Sequence, residues 1–209
     1  MDELRDFLVD LIGIPSPSGR EDGVARRVHQ EMVALGYTSI QESPEGSVVG
    51  IVGEGKPQLL LAAHMDTVDP GPARIWTHSP YSGAIEGGLV HGRGAADMKG
   101  GLAAAIHGAG LLAAQGGPSR GSVAVAATVM EEPCEGRIGL RGVLDANLVD
   151  PDWVIIAEPS DLKVIRGQRG RAEVLVHFTG EPSHSSSPSL GRSALTALAR
   201  AILAIEAVP

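Results

Sequence analysis

Three stretches of this chain, QLLLAA, VAVAATVM and WVIIA, are apolar almost throughout, and nothing else in it limits the fold so strongly. A strand with one face in water alternates apolar with polar residues, so a strand apolar on both faces must be covered on both. Helical patterns stand between these runs. Leu4, Phe7, Leu8, Leu11 and Ile12 form an i, i+3, i+4, i+7, i+8 stripe that stops before Pro15, and a second helix is expected from Asp22 to Leu35, closed by Gly36. MKGGLAAAIHGAGLLAAQGG reads as a helix ending at Gly116, with Leu102, Ile106, Ala109 and Ala113 on one face, and another helix is expected across GRIGLRGVLDANL. SVVGIVG adds a strand beside QLLLAA, and Gly87 and Gly88 mark a hairpin turn between Glu86 and Leu89. Helices alternating with two-sided apolar strands give an α/β class: a three-layer αβα domain around a mostly parallel sheet.

Composition excludes several partners. A formal net charge of −8 and 3% aromatic residues suit neither a phosphate backbone nor base stacking, so nucleic acid is set aside. No apolar run reaches the length of a membrane span, so no membrane is expected. Cys134 is the only cysteine, which rules out an internal disulfide. Asp2, Glu3 and Asp6 stand where a secretory leader would be positive, and a cytoplasmic setting is expected.

In open α/β sheets ligands bind beyond the carboxyl ends of the strands. QLLLAA is followed by His64 and Asp66, VAVAATVM by Glu131 and Glu132, and WVIIA by Glu158; Asp97, in HGRGAADMKGG, opens the alanine-rich helix. Singly each has a plainer explanation: a hydrogen-bonded structural histidine, a helix N-cap for Asp97, a solvated loop residue for Glu158. Together they would gather five carboxylates and one imidazole at one sheet edge, which Lys99 and Arg93 could offset only in part. One histidine among carboxylates suits Zn²⁺, with Mn²⁺ or Co²⁺ as alternatives, and a carboxylate shared between ions about 3.5–4 Å apart builds a two-metal hydrolytic centre. Asp66 is placed to accept the His64 ring N–H. Side chains adjacent in extended backbone point to opposite sides, so one of the two glutamates can coordinate while the other faces the attacking water as a base.

The motifs LAAHMDTV, HGRGAADMKGG, VMEEPCEG and AEPS, in this order and spacing, resemble the co-catalytic zinc amidohydrolase family that includes acetylornithine deacetylase, succinyl-diaminopimelate desuccinylase, aminoacylase and bacterial glutamate carboxypeptidase. EEPCEG with RGQRGR is most similar to its selenium-metabolism-linked hydrolases. The resemblance implies that His64, Asp97 and Glu158 hold one ion, that Asp97 bridges to a second held with Glu132, that Glu131 is the base and that Asp66 orients His64. It also implies a cis peptide after Asp97, an N-acylated amino acid or small peptide as substrate, and a homodimer formed through a lid domain. His184, in PSHSSSP, would reach a partner's site from that lid, although composition reads it equally as an exposed loop histidine. On this reading residues 1–166 form the catalytic domain and 167–209 begin an inserted α+β lid, with a first helix ending across Arg200 to Val208. Family members are near twice this length and supply a further histidine for the second ion. The chain is therefore expected to be a fragment or a split polypeptide, and an incomplete metal-binding form is the alternative to an active hydrolase.

Two other motifs are set aside. GIVGEGK, from Gly50 to Lys56, has phosphate-loop spacing, but Pro57 replaces the Ser or Thr and a strand follows. GPSRG around Ser119 lies between a helix and the next strand, the reverse of a nucleophile elbow. Cys134 is read as a passive thiol near the site.

Overall fold

A computed structural model of the chain describes residues 2–133, 138–170, 172 and 174–208. They fall into two compact units, 1–164 and 165–209. In the first, helix α1 (Asp2–Gly13) and helix α2 (Asp22–Ala34) precede strands β1 (Ser39–Glu42), β2 (Val48–Gly53) and β3 (Gln58–His64). Next come the hairpin β4 (Ala84–Glu86) and β5 (Leu89–His91), helix α3 (Gly100–Ala114), strand β6 (Ser122–Thr128), helix α4 (Leu140–Asp145) and strand β7 (Trp153–Ile156).

The sheet order is β1-β2-β6-β3-β7. The apolar runs of β6, β3 and β7 lie side by side and parallel, whereas β2 and β1 extend the sheet antiparallel from β6. β6 thus separates β2 from β3, the two strands read as neighbours along the chain. β1, SIQE, is short and polar and carries no apolar signature.

Covering on both faces follows from the two-residue period of a strand. Val48, Val52, Ala63, Val125 and Ala127 pack with Phe7 and Leu11 of α1, Val24, Val28 and Met32 of α2, and Leu102 and Ile106 of α3. Their alternates Val49, Leu60, Ala124 and Ala126 face Val143 of α4 and Val149. β7 is the exception: all four of its residues are exposed along that outer edge.

Two helices differ from expectation. α4 covers only Leu140–Asp145 of the predicted GRIGLRGVLDANL, because Gly139 takes φ 67°, and the start of that stretch lies outside the described residues, as does Cys134. α3 begins at Gly100, after a wide turn over Ala95–Lys99 in which Asp97 and Met98 leave helical geometry and their shared peptide is cis. A side chain on Gly101 would meet the Ala157 carbonyl at 2.5 Å, so its absence lets α3 approach the end of β7.

The second unit contains helix α5 (Ala194–Glu206), whose N-cap Ser193 accepts from the Thr196 N–H at 3.2 Å. Glu181 and Arg192 are joined by a bridge and an ion pair. No helix among the described residues is long and apolar enough to cross a membrane.

Candidate metal centre

The parallel strands β3, β6 and β7 all run their carboxyl ends to one edge of the sheet. The ladder continues past them: the Met65 N–H donates to the Thr128 carbonyl at 2.7 Å, and that of Ala157 to the Ala62 carbonyl at 2.9 Å. This register carries His64, Asp66, Glu131, Glu132 and Glu158 to the same edge, and the non-helical turn before α3 brings Asp97 to it.

His64, 2% exposed, is held through its ring Nδ1. Nδ1 lies 2.9 Å from the main-chain carbonyl of Asp66. A carbonyl only accepts, so Nδ1 carries the proton, and the neutral ring presents a lone pair at Nε2. Facing that nitrogen are Asp97 Oδ1 at 3.2 Å, Glu131 Oε2 at 3.8 Å and Glu158 Oε1 at 3.8 Å. Donor atoms of His64, Asp97 and Glu158 all lie within 4.8 Å of one another. Four electron-rich atoms pointed at one place repel one another unless protons or a cation stand among them.

The titration behaviour agrees. Burial disfavours the charged Glu158, and the negative charges of Asp97, Glu131 and Glu132 add to it, so its pKa is raised despite the opposing effect of His64. Glu132 is likewise raised, by burial first and then by Asp97. Burial alone would lower His64, but the surrounding carboxylates of Asp66, Glu158 and Glu131 carry it upward. These groups hold a proton more readily than free side chains do, and a dication would compete with that proton. The donor set fits a hard or borderline divalent ion, and the 3.2 Å His64–Asp97 separation is close to the edge of about 3.3 Å that bonds of about 2.0–2.1 Å make in tetrahedral coordination.

Asp66 accepts the His64 ring N–H, but through its main chain and not its carboxylate, whose Oδ1 is 3.6 Å from that nitrogen. The fully buried carboxylate instead accepts from Ser18 Oγ at 2.7 Å, from the Glu131 N–H at 3.1 Å and from the Glu132 N–H at 3.1 Å. It fixes the backbone of both glutamates. That backbone is not extended: Met130 sits at φ 57° and Glu132–Pro133 form a turn, so the separation of the two side chains comes from the turn and not from strand alternation.

Lys99 and Arg93 do not take the compensating places foreseen for them. Lys99 is fully buried and its ammonium donates to the Leu11 carbonyl at 2.7 Å and the Ile14 carbonyl at 2.9 Å, closing the end of α1. Burial pushes it down to about 8. Arg93 lies over the Trp76 ring, 5.0 Å from its centroid, with Nη2 3.4 Å from the Asp69 carbonyl. Asp97 is not a cap either, since α3 has no side-chain cap bond at its N-terminus.

A bracing loop was not foreseen. Ser16 Oγ donates to the Met65 carbonyl at 2.8 Å, Ser18 holds Asp66, and Glu21 Oε1 accepts from the N–H groups of Gly19 and Met130, each at 3.0 Å. The signal was PSPSGRE, a cluster of turn-forming residues too polar to be only the end of a helix. His184 lies in the second unit, exposed, with Nδ1 2.8 Å from Ser186 Oγ.

Comparison with known proteins places these features in context. YgeY of Escherichia coli (strain K12) is 33% identical over 193 residues, 92% of this chain and 48% of that protein. Succinyl-diaminopimelate desuccinylase of Rhodospirillum centenum is 33% identical over 216 residues, 96% of this chain and 55% of that protein. The chain thus spans about half the length of the curated relatives it matches. Among solved structures, the M20 family metallo-carboxypeptidase Sso-CP2 of Sulfolobus solfataricus superposes with a TM-score of 0.65 at 25% identity, over 75% of this chain and 37% of that one. YXEP of Bacillus subtilis, described as a dinuclear metal-binding peptidase, shares the fold at a TM-score of 0.57 and 20% identity, over 74% of this chain and 42% of that one. The model of peptidase family M20/M25/M40 matches residues 60–208, more than half of the chain and all of the metal-ligand candidates, and the chain belongs to that family.

Proposed function

We propose that the edge cluster is the metal centre of an amidohydrolase acting on an N-acylated amino acid or small peptide. The observation that carries this reading is the His64 ring, held through Nδ1 so that its other nitrogen, Nε2, is turned toward three carboxylates and in the neutral ring presents a lone pair there. His64, Asp97 and Glu158 would hold one divalent ion, and Asp97 with Glu132 a second, zinc first, with cobalt or manganese as alternatives. Ions bound there polarise an amide carbonyl and lower the pKa of water. Glu131, its side chain 48% exposed, faces the site from a backbone that Asp66 immobilises, so it can take the proton of the attacking water and return it to the leaving amine nitrogen. Residues 165–209 would begin a lid through which two chains pair, presenting His184 to the oxyanion in the partner's site. A reducing, cytoplasmic setting suits the single cysteine.

A second reading is a metal-binding chain that does not catalyse. It is favoured by the donor group itself, in which His64 is the only imidazole. Metal content combined with hydrolysis of a panel of N-acyl amino acids and dipeptides separates the two. Zinc-, manganese- or cobalt-dependent release of free amine is the expected result; an ion held with nothing hydrolysed supports the second reading, and no ion held at all contradicts both.

A further inference from the structure

His78, Glu86 and His91 form a second group of donors that shares no residue with the edge cluster. One ligand atom from each lies within 4.8 Å of the others. His78 Nε2 is 3.0 Å from Glu86 Oε2, and the two imidazole rings stand 4.5 Å apart, tilted by 48°.

The backbone explains why they meet. In the β4–β5 hairpin Ala84 pairs with His91 and Glu86 with Leu89. Glu86 is two residues from Ala84 and so shares the face of the ribbon that carries His91, a diagonal neighbour within reach of a long side chain. His78 comes from the preceding loop, which is tied to the end of the hairpin by the Arg93 N–H donating to the Pro80 carbonyl at 2.7 Å. A turn with the Ser82 N–H and hydroxyl both bonded to the Ser79 carbonyl steadies the same loop.

We propose that these three residues form a second transition-metal site, taking Zn²⁺ or a related first-row dication. Two imidazoles and one carboxylate select such an ion over Mg²⁺ or Ca²⁺, which prefer oxygen donors. The 3.0 Å His78–Glu86 separation, that of a direct ion pair, is only slightly shorter than the about 3.3 Å between donors that bonds of about 2.0–2.1 Å make in tetrahedral coordination, so a small outward shift admits the ion. His78 and His91 are half-buried and Glu86 is exposed, so water completes the shell and the site fills without opening the core. The bound ion fastens the hairpin to the 76–82 loop.

The test is a Zn²⁺ titration of the full chain against a chromophoric chelator, in the wild type and in His64→Ala, with ¹H–¹⁵N spectra of the histidine rings, seven in the wild type and six in His64→Ala. In both proteins the resonances lost in His78→Gln and in His91→Gln are expected to shift with Zn²⁺, and each of these substitutions to weaken one class of site at least about tenfold. Unchanged stoichiometry and affinity in both variants would overturn the proposal. Should a variant fail to fold, histidine ring resonances that all stay unshifted by Zn²⁺ in His64→Ala would overturn it equally. The His64→Ala arm keeps this result separate from the fate of the edge cluster.

Discussion

Replacing Lys99 with alanine should destabilise the 1–164 unit by about 2–5 kcal/mol, one of the largest effects expected of any single substitution in this chain. The side chain is fully buried, and its removal leaves a cavity and two carbonyls, of Leu11 and Ile14, without their donor. Lys99→Met retains most of the volume but not the donor, so the difference between the two variants separates packing from hydrogen bonding. Thermal or denaturant unfolding reads both. The wild type should also show a pH signature. With its folded pKa near 8 and a reference value of 10.5, this lysine binds a proton in the unfolded chain that the native state lacks between those values. Stability therefore rises with pH across that window through this group, and Lys99→Met should remove the slope. The neutral amine still has two hydrogens, enough for both carbonyls. Lys99→Met as stable as the wild type would show that the two bonds contribute little, and a slope that persists in it would show that another group carries the slope.

The second large effect is on turnover. On the amidohydrolase reading proposed above, Glu131→Gln is expected to lower the hydrolytic rate about 10²–10⁴-fold while metal content stays at the wild-type level. Its carboxylate is 3.8 Å from His64 Nε2, farther than that of Asp97, and it does not belong to the His64, Asp97 and Glu158 donor group. Its backbone N–H still reaches Asp66 after the substitution, so the turn that carries Glu132 persists. Steady-state kinetics with metal analysis of the same samples checks this. Metal lost in proportion to activity would make Glu131 a ligand and not a base.

The layered fold was legible because it rests on local patterns that burial rewards. β3, β6 and β7 are apolar on both faces, and residues that end parallel strands must share an edge, so His64, Glu131, Glu132 and Glu158 could be gathered without coordinates. β1 was missed because SIQE lacks apolar periodicity and exists as a strand only through pairing with β2. What sequence could not convey is where polar side chains find partners across long separations. Lys99 reads as a charge near other charges, yet it reaches 88 positions back to the Leu11 carbonyl. Asp66 stands two residues from His64 and accepts its ring N–H as expected, but through the main-chain carbonyl, because its carboxylate is occupied by Ser18 and two backbone N–H groups from 65 and 66 positions away. The His78, Glu86 and His91 group was hidden for the same reason: its members become neighbours only when the hairpin register puts Glu86 and His91 on one face.

The most direct measurement on the edge cluster compares zinc held at equilibrium by the wild type and by His64→Ala, at neutral pH and again at pH 5. The wild type should hold at least one equivalent that His64→Ala lacks. That equivalent should be released on acidification, because the raised pKa values of Glu132, Glu158 and His64 let protons compete with the ion above the ordinary carboxylate range. Equal zinc in the two proteins at neutral pH would mean that His64 and the carboxylates around it are not a metal centre.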